Sequence, residues 1–379
     1  MDSYEFLNRV ILNTYKISSK NRLSIPEQTK KLFEVVERGI CLISTNLELN
    51  TVDYNNKKEL AEILLNSKLF SSQLKRIIPF LIIKGAHTTA NDEFYGCLWL
   101  VYTIIYQAIS LNSGREVDNE WVSQVIQLEY IYKLTREIRE PIDGRLELPA
   151  VQLLGLICSK STLNSIDRSY LDKKLVDCLF DMVEFLRGKD DILEEHLIQL
   201  ILVIHNQFTL LLPRKNNILI ASSAYSPTIV LLALEAKHFT AKTFGEALIF
   251  FLNRSKDTLV QSATLKFISD IFNYRPTSNY FYTNDLYVLV DIIIRQLNDL
   301  CSNLDQVKLD YLNCLYSLLP NSQYSSYFYK CNEIETLLQH LSNMEISEHY
   351  HGLCSSIQCQ AQELLNRLDN LKATKLKIQ

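Results

Sequence analysis

Four residues near the C-terminal end have the types expected of metal ligands: His349, His351, Cys354 and Cys359. Imidazole nitrogen and thiolate sulfur are good zinc donors, but four of them must converge on one point at about 2.0–2.3 Å. A helix turns by roughly 100° per residue, so on one continuous helix these four point roughly toward 0°, 200°, 140° and 280°. They diverge, and no metal centre is expected. His196 and His205 share an apolar helix near Glu194 and Glu195, without an HExxH pattern, and read as packing or rim histidines. No serine sits in a G-x-S-x-G elbow. The acid pairs Asp190-Asp191 and Glu194-Glu195 fall at a helix start, where the positive end of the dipole accounts for them. General acid–base chemistry needs two groups converging in a cleft, and nothing in the sequence signals that.

Glycine spacing closes the remaining routes to familiar nucleotide chemistry. The nine glycines stand at 39, 85, 96, 114, 144, 155, 188, 245 and 352, no two closer than 11 residues. Loops that cradle phosphate place glycines one to about five residues apart so that backbone N–H groups can approach the anion. The P-loop, the dinucleotide fingerprint and the kinase loop are therefore excluded. The expectation is a protein that is not an enzyme, with no cofactor, no metal and no small-molecule substrate.

The elements that must carry any function are helices. The chain has 379 residues, 47% hydrophobic, and a net charge of −4, which gives no electrostatic footprint for nucleic acid or anionic membrane. The start, MDSYEF, lacks the basic-then-apolar run of a signal peptide. The longest apolar run, Cys97 to Tyr106, is too short to span a bilayer, so no membrane insertion is expected. Nine scattered cysteines with no CxxC pair, most inside apolar helical patterns, fit reduced, buried thiols of a cytosolic protein.

Apolar residues recur at helical spacing from end to end, and no stretch alternates as a strand does. Helices are predicted over Tyr4–Thr14, from Ile25-Pro26 through LFEVVERGICLI, over Lys58–Asn66, and over Ser72–Lys84 with a kink at Pro79. Next come a long apolar helix capped at Asn91-Asp92, Asp118–Arg139, a helix opened by Pro149, Asp167–Arg187, Ile192–Leu212, Pro227–Lys237, Thr243–Asn253 and Asp257–Asn273. A central helix over 283–300 precedes Asp305–Leu319, a short segment near Tyr327, Glu333–Leu341 and a long last helix of about Glu348–Leu371. One internal match is visible. Leu265, Ile268, Ile271 and Phe272 align with Leu312, Leu315, Leu318 and Leu319 at an offset of 47 residues, the length of an armadillo or HEAT unit. The expected fold is all-α: a single elongated, armadillo/HEAT-like right-handed α-solenoid over 1–379, with a weak lobe boundary near 140–148.

The central helix is the most informative stretch, YFYTNDLYVLVDIIIRQLNDL from Tyr280 to Leu300. Thr283 or Asn284 is expected to cap it, and Asp285 favours the positive end of its dipole. Leu286, Val288, Leu289, Val290, Ile292, Ile293, Ile294, Leu297 and Leu300 cover most of the cylinder, so the helix should be buried on most sides. Asp291, Arg295 and Asp299 form one polar strip at i,i+4, with two weak ion pairs expected along it.

The run Phe281-Tyr282-Thr283-Asn284-Asp285-Leu286, leading into an aliphatic helix that ends Arg295-Gln296-Leu297-Asn298-Asp299-Leu300, resembles the signature of the WISH/DIP/SPIN-ninety family. The resemblance is nearest to the short fungal Dip-type members. It implies an armadillo-like leucine-rich domain that binds and activates the actin-related protein 2/3 complex, starting linear filaments without a mother filament. It also implies a place at cortical actin patches. The sequence departs from larger relatives in showing neither an SH3 module nor a Pro-rich arm, and it ends LKATKLKIQ rather than in an acidic, Trp-bearing tail.

For a solenoid, the partner surface is expected along the repeated polar stripe. That stripe comprises Ser262, Lys266, Ser269 and Asn273 on one helix and Asn313 and Tyr316 on the matching one, joined by Asp291, Arg295 and Asp299. The competing reading is another armadillo adaptor, one that grips a peptide cargo or a GTPase. Peptide cargo is disfavoured because its Trp/Asn ladder is missing: the two tryptophans, Trp99 and Trp121, both lie in the N-terminal third.

Overall fold

A computed structural model describes residues 25–46, 61–111, 116–142, 144–210, 226–300, 305–343 and 351–378. Among the described residues there are helices and turns and no strand, so the all-α expectation holds. The helix expected over Tyr4–Thr14 lies outside the described residues, as do His349 and the side chains of His351 and Cys354. Among the described residues no group of three or more His, Cys, Asp or Glu is placed to hold a metal ion. The chain divides into two compact units, Met1–Leu175 and Val176–Gln379, and the 140–148 stretch lies inside the first.

The first unit contains α1 (Ile25–Asn46), α2 (Lys68–His87), a 3-10 turn (Glu93–Cys97), α3 (Leu98–Leu111), α4 (Glu116–Gln127), α5 (Tyr130–Arg139), α6 (Glu147–Lys160) and α7 (Ser165–Ser169). Pro26 sits in the first turn of α1, where its missing N–H breaks no helical bond. Ser67 caps α2 by accepting from the Phe70 N–H at 3.3 Å. The kink expected at Pro79 is not where the backbone departs from helical values; that is at Gln73 (φ −122°, ψ 16°), six residues earlier and beyond the carbonyl the proline ring crowds. The apolar run expected to be ten residues long extends with its 3-10 turn to 19, Glu93–Leu111, long and apolar enough to pass for a membrane span. Trp99, Leu100, Val101, Tyr102, Ile104 and Ile105 are nevertheless fully buried, and α3 packs on α2, α4 and α6 as the core helix of this unit.

The helix expected over Asp118–Arg139 is two helices, because Glu129 adopts left-handed backbone (φ 57°). The break turns α5 so that two of its side chains reach the end of α2. Tyr130 Oη donates to the Ile82 carbonyl at 2.7 Å, and Lys133 Nζ donates to the Gly85 carbonyl at 2.6 Å and to that of Thr88. These carbonyls are the negative end of α2, where a cation is favoured. A Cβ at Gly85 would stand 2.3 Å from Tyr130 Oη, so the close approach requires glycine there. Burial pushes the Lys133 ammonium down to about 8, opposed by nearby Glu137.

The second unit begins within α8 (Lys173–Leu186). It continues with α9 (Asp191–Thr209), α10 (Ile229–Ala236), α11 (Lys242–Arg254), α12 (Thr258–Asn273), α13 (Thr283–Asp299), α14 (Asp305–Asn321), α15 (Tyr324–Tyr327), α16 (Cys331–Ser342) and α17 (His351–Ile378). Asp190, Thr228 and Asp257 cap α9, α10 and α12 through their side-chain oxygens. The packing falls into two series. In the first, α9, α12, α14 and α17 touch in succession; in the second, α11, α13 and α16 do. The series join as pairs, α11 on α12, α13 on α14 and α16 on α17. The internal sequence match is the contact between α12 and α14: Leu265, Ile268, Ile271, Phe272, Leu312, Leu315, Leu318 and Leu319 are all buried. Each pair alone would leave an apolar face, and its neighbour covers it.

Candidate functional site

Helix α13 occupies the middle of the second series, between α11 and α16 and against α14. Leu286, Leu289, Val290, Ile292, Ile293 and Leu297 are buried; Val288, expected inside, is half exposed. The cap differs from expectation. Tyr282, in extended backbone (φ −71°, ψ 160°), is the N-cap residue, and its N–H donates to Asp285 Oδ2 at 3.2 Å. Thr283 instead donates to Gln323 Oε1 at 3.0 Å. Burial raises the Asp285 carboxyl above its ordinary range, opposed by that backbone bond and by Lys242.

The aromatic triplet before α13 is an anchor. Tyr280 and Phe281 are buried while Tyr282 is exposed. Tyr280 Oη donates to the Ala241 carbonyl, and Phe281 packs on Phe272 with ring centroids 5.5 Å apart. Lys242 Nζ donates to the Tyr280 carbonyl at 3.1 Å and lies over the rings of both Tyr280 and Tyr282. A Cβ on Gly245 would meet Tyr280 at 3.0 Å, so glycine in α11 makes room for the ring. These contacts tie the turn before α13 to the start of α11.

The strip on α13 is built differently from the expected chain of i,i+4 pairs. Asp291 pairs with Lys330 Nζ at 3.1 Å, at the start of α16, and accepts from Tyr329 Oη at 3.3 Å. Tyr329 stacks on Tyr287 of α13 with centroids 4.2 Å apart. Arg295 is exposed and donates to Asn253 Oδ1 of α11. Asp299 is exposed at the last residue of α13. Two of the three acid and base groups thus bridge α13 to its neighbours, because the facing helices offer partners that a single-helix projection does not contain. Asn253, Tyr329 and Lys330 belong to this surface; Asn253 and Lys330 were not singled out by sequence. So do two exposed apolar side chains, Phe250 (58%) on α11 and Val288 (50%) on α13.

The remaining sequence-selected residues lie on the other series, where they link helices. Lys266 is exposed, yet its ammonium donates to Asn206 Oδ1 at 3.1 Å and Thr209 Oγ1 at 2.7 Å, joining α12 to α9. Asn273 Nδ2 donates to Ser317 Oγ at 3.1 Å and its Oδ1 accepts from Asn321 at 3.2 Å, joining α12 to α14. Ser269 is buried and donates to the Leu265 carbonyl at 2.8 Å, so it presents little surface to a partner. Asn313 is half-buried, and its carbonyl accepts from Ser317. Tyr316 donates to Glu363 Oε1 at 3.2 Å beneath the Arg367 guanidinium, which lies 4.0 Å from its ring; α17 therefore covers it.

His205 belongs to the same set of links. It is buried on α9, with Nδ1 2.9 Å from Thr228 Oγ1 and Nε2 2.9 Å from Asp270 Oδ2. The Asp270 carboxylate only accepts, so the His205 Nε2–H donates to it, and Thr228 Oγ1, which also accepts from the Leu231 N–H, shares a hydrogen bond with Nδ1. This is a structural histidine with both nitrogens used. His196 is shifted down by burial.

The arrangement defines an all-α protein whose second unit stacks leucine-rich helix pairs. Residues 190–334, from the cap of α9 to the first turn of α16, match the family model described as the SPIN90/Ldb17 leucine-rich domain. That stretch is therefore similar to a SPIN90/Ldb17 leucine-rich domain, in keeping with the resemblance of the Phe281–Leu286 run. Similar proteins include Protein dip1 of Schizosaccharomyces pombe, 31% identical over 176 residues, covering 46% of this chain and 46% of that protein. Protein LDB17 of Eremothecium gossypii is 22% identical over 299 residues, covering 77% of this chain and 61% of that protein. Protein LDB17 of Saccharomyces cerevisiae is 31% identical over 134 residues, covering 32% of this chain and 27% of that protein. The matches thus span less than two thirds of each relative's own length.

Proposed function

We propose that this chain is a non-catalytic activator of the actin-related protein 2/3 complex, acting in the cytoplasm at cortical actin patches during endocytosis and starting linear filaments without a preformed filament. The observation that carries this reading is the SPIN90/Ldb17 leucine-rich domain match over 190–334, with the signature helix α13 at the middle of its helix series. In this reading the pairs α11/α12, α13/α14 and α16/α17 are successive units of an armadillo/HEAT-like right-handed solenoid. The face that meets the complex is the exposed side of α11 and α13, with Arg295, Asp299 and the neighbouring Phe250 and Val288. This side keeps charged and apolar groups exposed, whereas the polar stripe on α12 and α14 is occupied by helix-to-helix bonds.

The mechanism is differential binding. A stiff helical body that holds the active arrangement of its partner more tightly than the resting one shifts the partner's population toward activity. A hundredfold activation requires about 2.7 kcal/mol of that preference. The test is actin assembly with the purified complex and the full chain, with no filament seeds added. Faster assembly is expected; an unchanged time course at saturating chain overturns the reading. The peptide-cargo alternative has less support, because Trp99 and Trp121 are both buried, at 0% and 3% exposure, and offer no ladder to a peptide.

A further inference from the structure

The first unit holds a pair of thiols that the proposed function does not use. Cys41 lies on α1 and Cys97 ends the 3-10 turn before α3, and their Sγ atoms are 3.7 Å apart across 56 residues of chain. Neither is in a disulfide; Cys41 is half-buried and Cys97 buried. Of the other described cysteines, Cys158 and Cys314 are buried, Cys178 lies beside Met182, Cys331 is half-buried beside Tyr324 and Lys372, and Cys359 is exposed. At 3.7 Å the two sulfurs are in van der Waals contact, and a disulfide of about 2.05 Å requires them to close by less than 2 Å. The surroundings hold them there. Phe33 of α1 stacks on Phe80 of α2 at 4.2 Å, and Glu37 pairs with Lys84 at 2.8 Å, fixing α1 one turn before Cys41.

We propose that Cys41 and Cys97 form a reversible disulfide that locks α1 to the turn before α3 under oxidising conditions. With hydrogen peroxide as oxidant, the Cys41 thiolate attacks one peroxide oxygen, the O–O bond breaks, and the departing hydroxide takes a proton to leave as water. The Cys41 sulfenic acid is then attacked by the Cys97 sulfur; the S–O bond breaks, the S–S bond forms, and a second water leaves with the Cys97 proton. Two thiols and one peroxide become one disulfide and two waters, the sulfurs giving up two electrons to the peroxide oxygens. Cys41 reacts first because it is the more accessible of the two. Burial, then the neighbouring Cys97, Glu37 and Glu93, raises the Cys41 thiol to about 12, so only a small fraction is thiolate near neutral pH and the oxidation is slow.

The lock restrains the unfolded chain by closing a 56-residue loop, so it should stabilise the first unit. The full-length protein is reduced, exchanged into peroxide, alkylated and digested without reductant. The expected product is one linked peptide pair containing Cys41 and Cys97, absent in Cys41→Ser and Cys97→Ser. A rise of several degrees in melting temperature should accompany it, reversed by dithiothreitol. Circular dichroism of both variants and of a Cys41→Ala, Cys97→Ala double variant checks that the reduced fold is unchanged. Recovery of Cys41 as sulfinic acid with Cys97 still alkylatable, or a linked pair that leaves the melt unmoved, overturns the proposal. Because the readout contains no actin, its failure is distinct from failure of the functional reading.

Discussion

Helices α12 and α14 and helix α13 carry the same sequence signal, a stripe of polar residues beside a broad apolar face, yet the second unit uses the two stripes differently. On α12 and α14 the stripe is consumed. Lys266 binds Asn206 and Thr209, Asn273 binds Ser317 and Asn321, and Tyr316 lies under Arg367. On α13 the stripe faces outward: Asp291 is tied to Lys330 and Arg295 to Asn253, yet Arg295 and Asp299 remain exposed. A polar side chain beside a second helix becomes a link between helices, and the same side chain beside solvent remains available. Recognition is therefore expected on α13 and its neighbour α11, and register between repeats on α12 and α14.

The contrast can be broken most forcefully through the apolar face that both stripes depend on. Ile293→Asp places a charge at a fully buried position of α13 and should cost more than about 4 kcal/mol, unfolding the second unit. A normal melt would mean that this helix is not where the contacts place it. His205→Ala comes next. It removes the bridge from α9 to Thr228 and Asp270 and should cost about 2 kcal/mol in chemical denaturation. Loss of under half that amount would show that the links between helices are incidental.

Asp310 offers a smaller and more discriminating test. Burial raises its carboxyl above the usual range, against hydrogen bonds from Ser262 and Gln306 and the charge of Lys266. A carboxyl whose folded value lies above its unfolded value holds its proton longer when folded. Its favourable contribution is present at low pH and is lost as pH rises through the folded value. Asp310→Asn should therefore be more stable than the parent chain near neutral pH, by about 1 kcal/mol or less, with the gap closing as pH falls toward the acid range. A gap that widens on acidification would reverse the assigned cause. Arg295→Glu stands last in stability, within about 0.5 kcal/mol of the parent, since it loses only an exposed bond to Asn253. It is nonetheless the substitution expected to weaken capture of the actin-related protein 2/3 complex in a pull-down. If Lys266→Glu weakened capture and Arg295→Glu did not, the two stripes would have exchanged roles.

Much of the helical layout was legible in the sequence, because burying a helix leaves a periodic apolar record. The eight residues of the 47-residue match are all buried between α12 and α14. The family signature was legible because a long run of fixed residues, Phe281 to Leu286, is harder to meet by chance than a short pattern. The break at Glu129 was not legible, since the reward for it lies elsewhere, in Tyr130 and Lys133 reaching the carbonyls at the end of α2. Nor was the cap of α13: Thr283 is the better side-chain acceptor, but Gln323, 40 residues away, engages it.

What the sequence determined by itself is what depends on near neighbours in the chain: helices throughout, glycines too sparse for a phosphate loop, and one aliphatic helix carrying a family signature. What only the tertiary structure decided is which polar groups meet. Hydrogen bonds and ion pairs reach about 3 Å, and whether Arg295 finds Asp291 or Asn253 within that distance is set by where α11 packs, not by the spacing along α13.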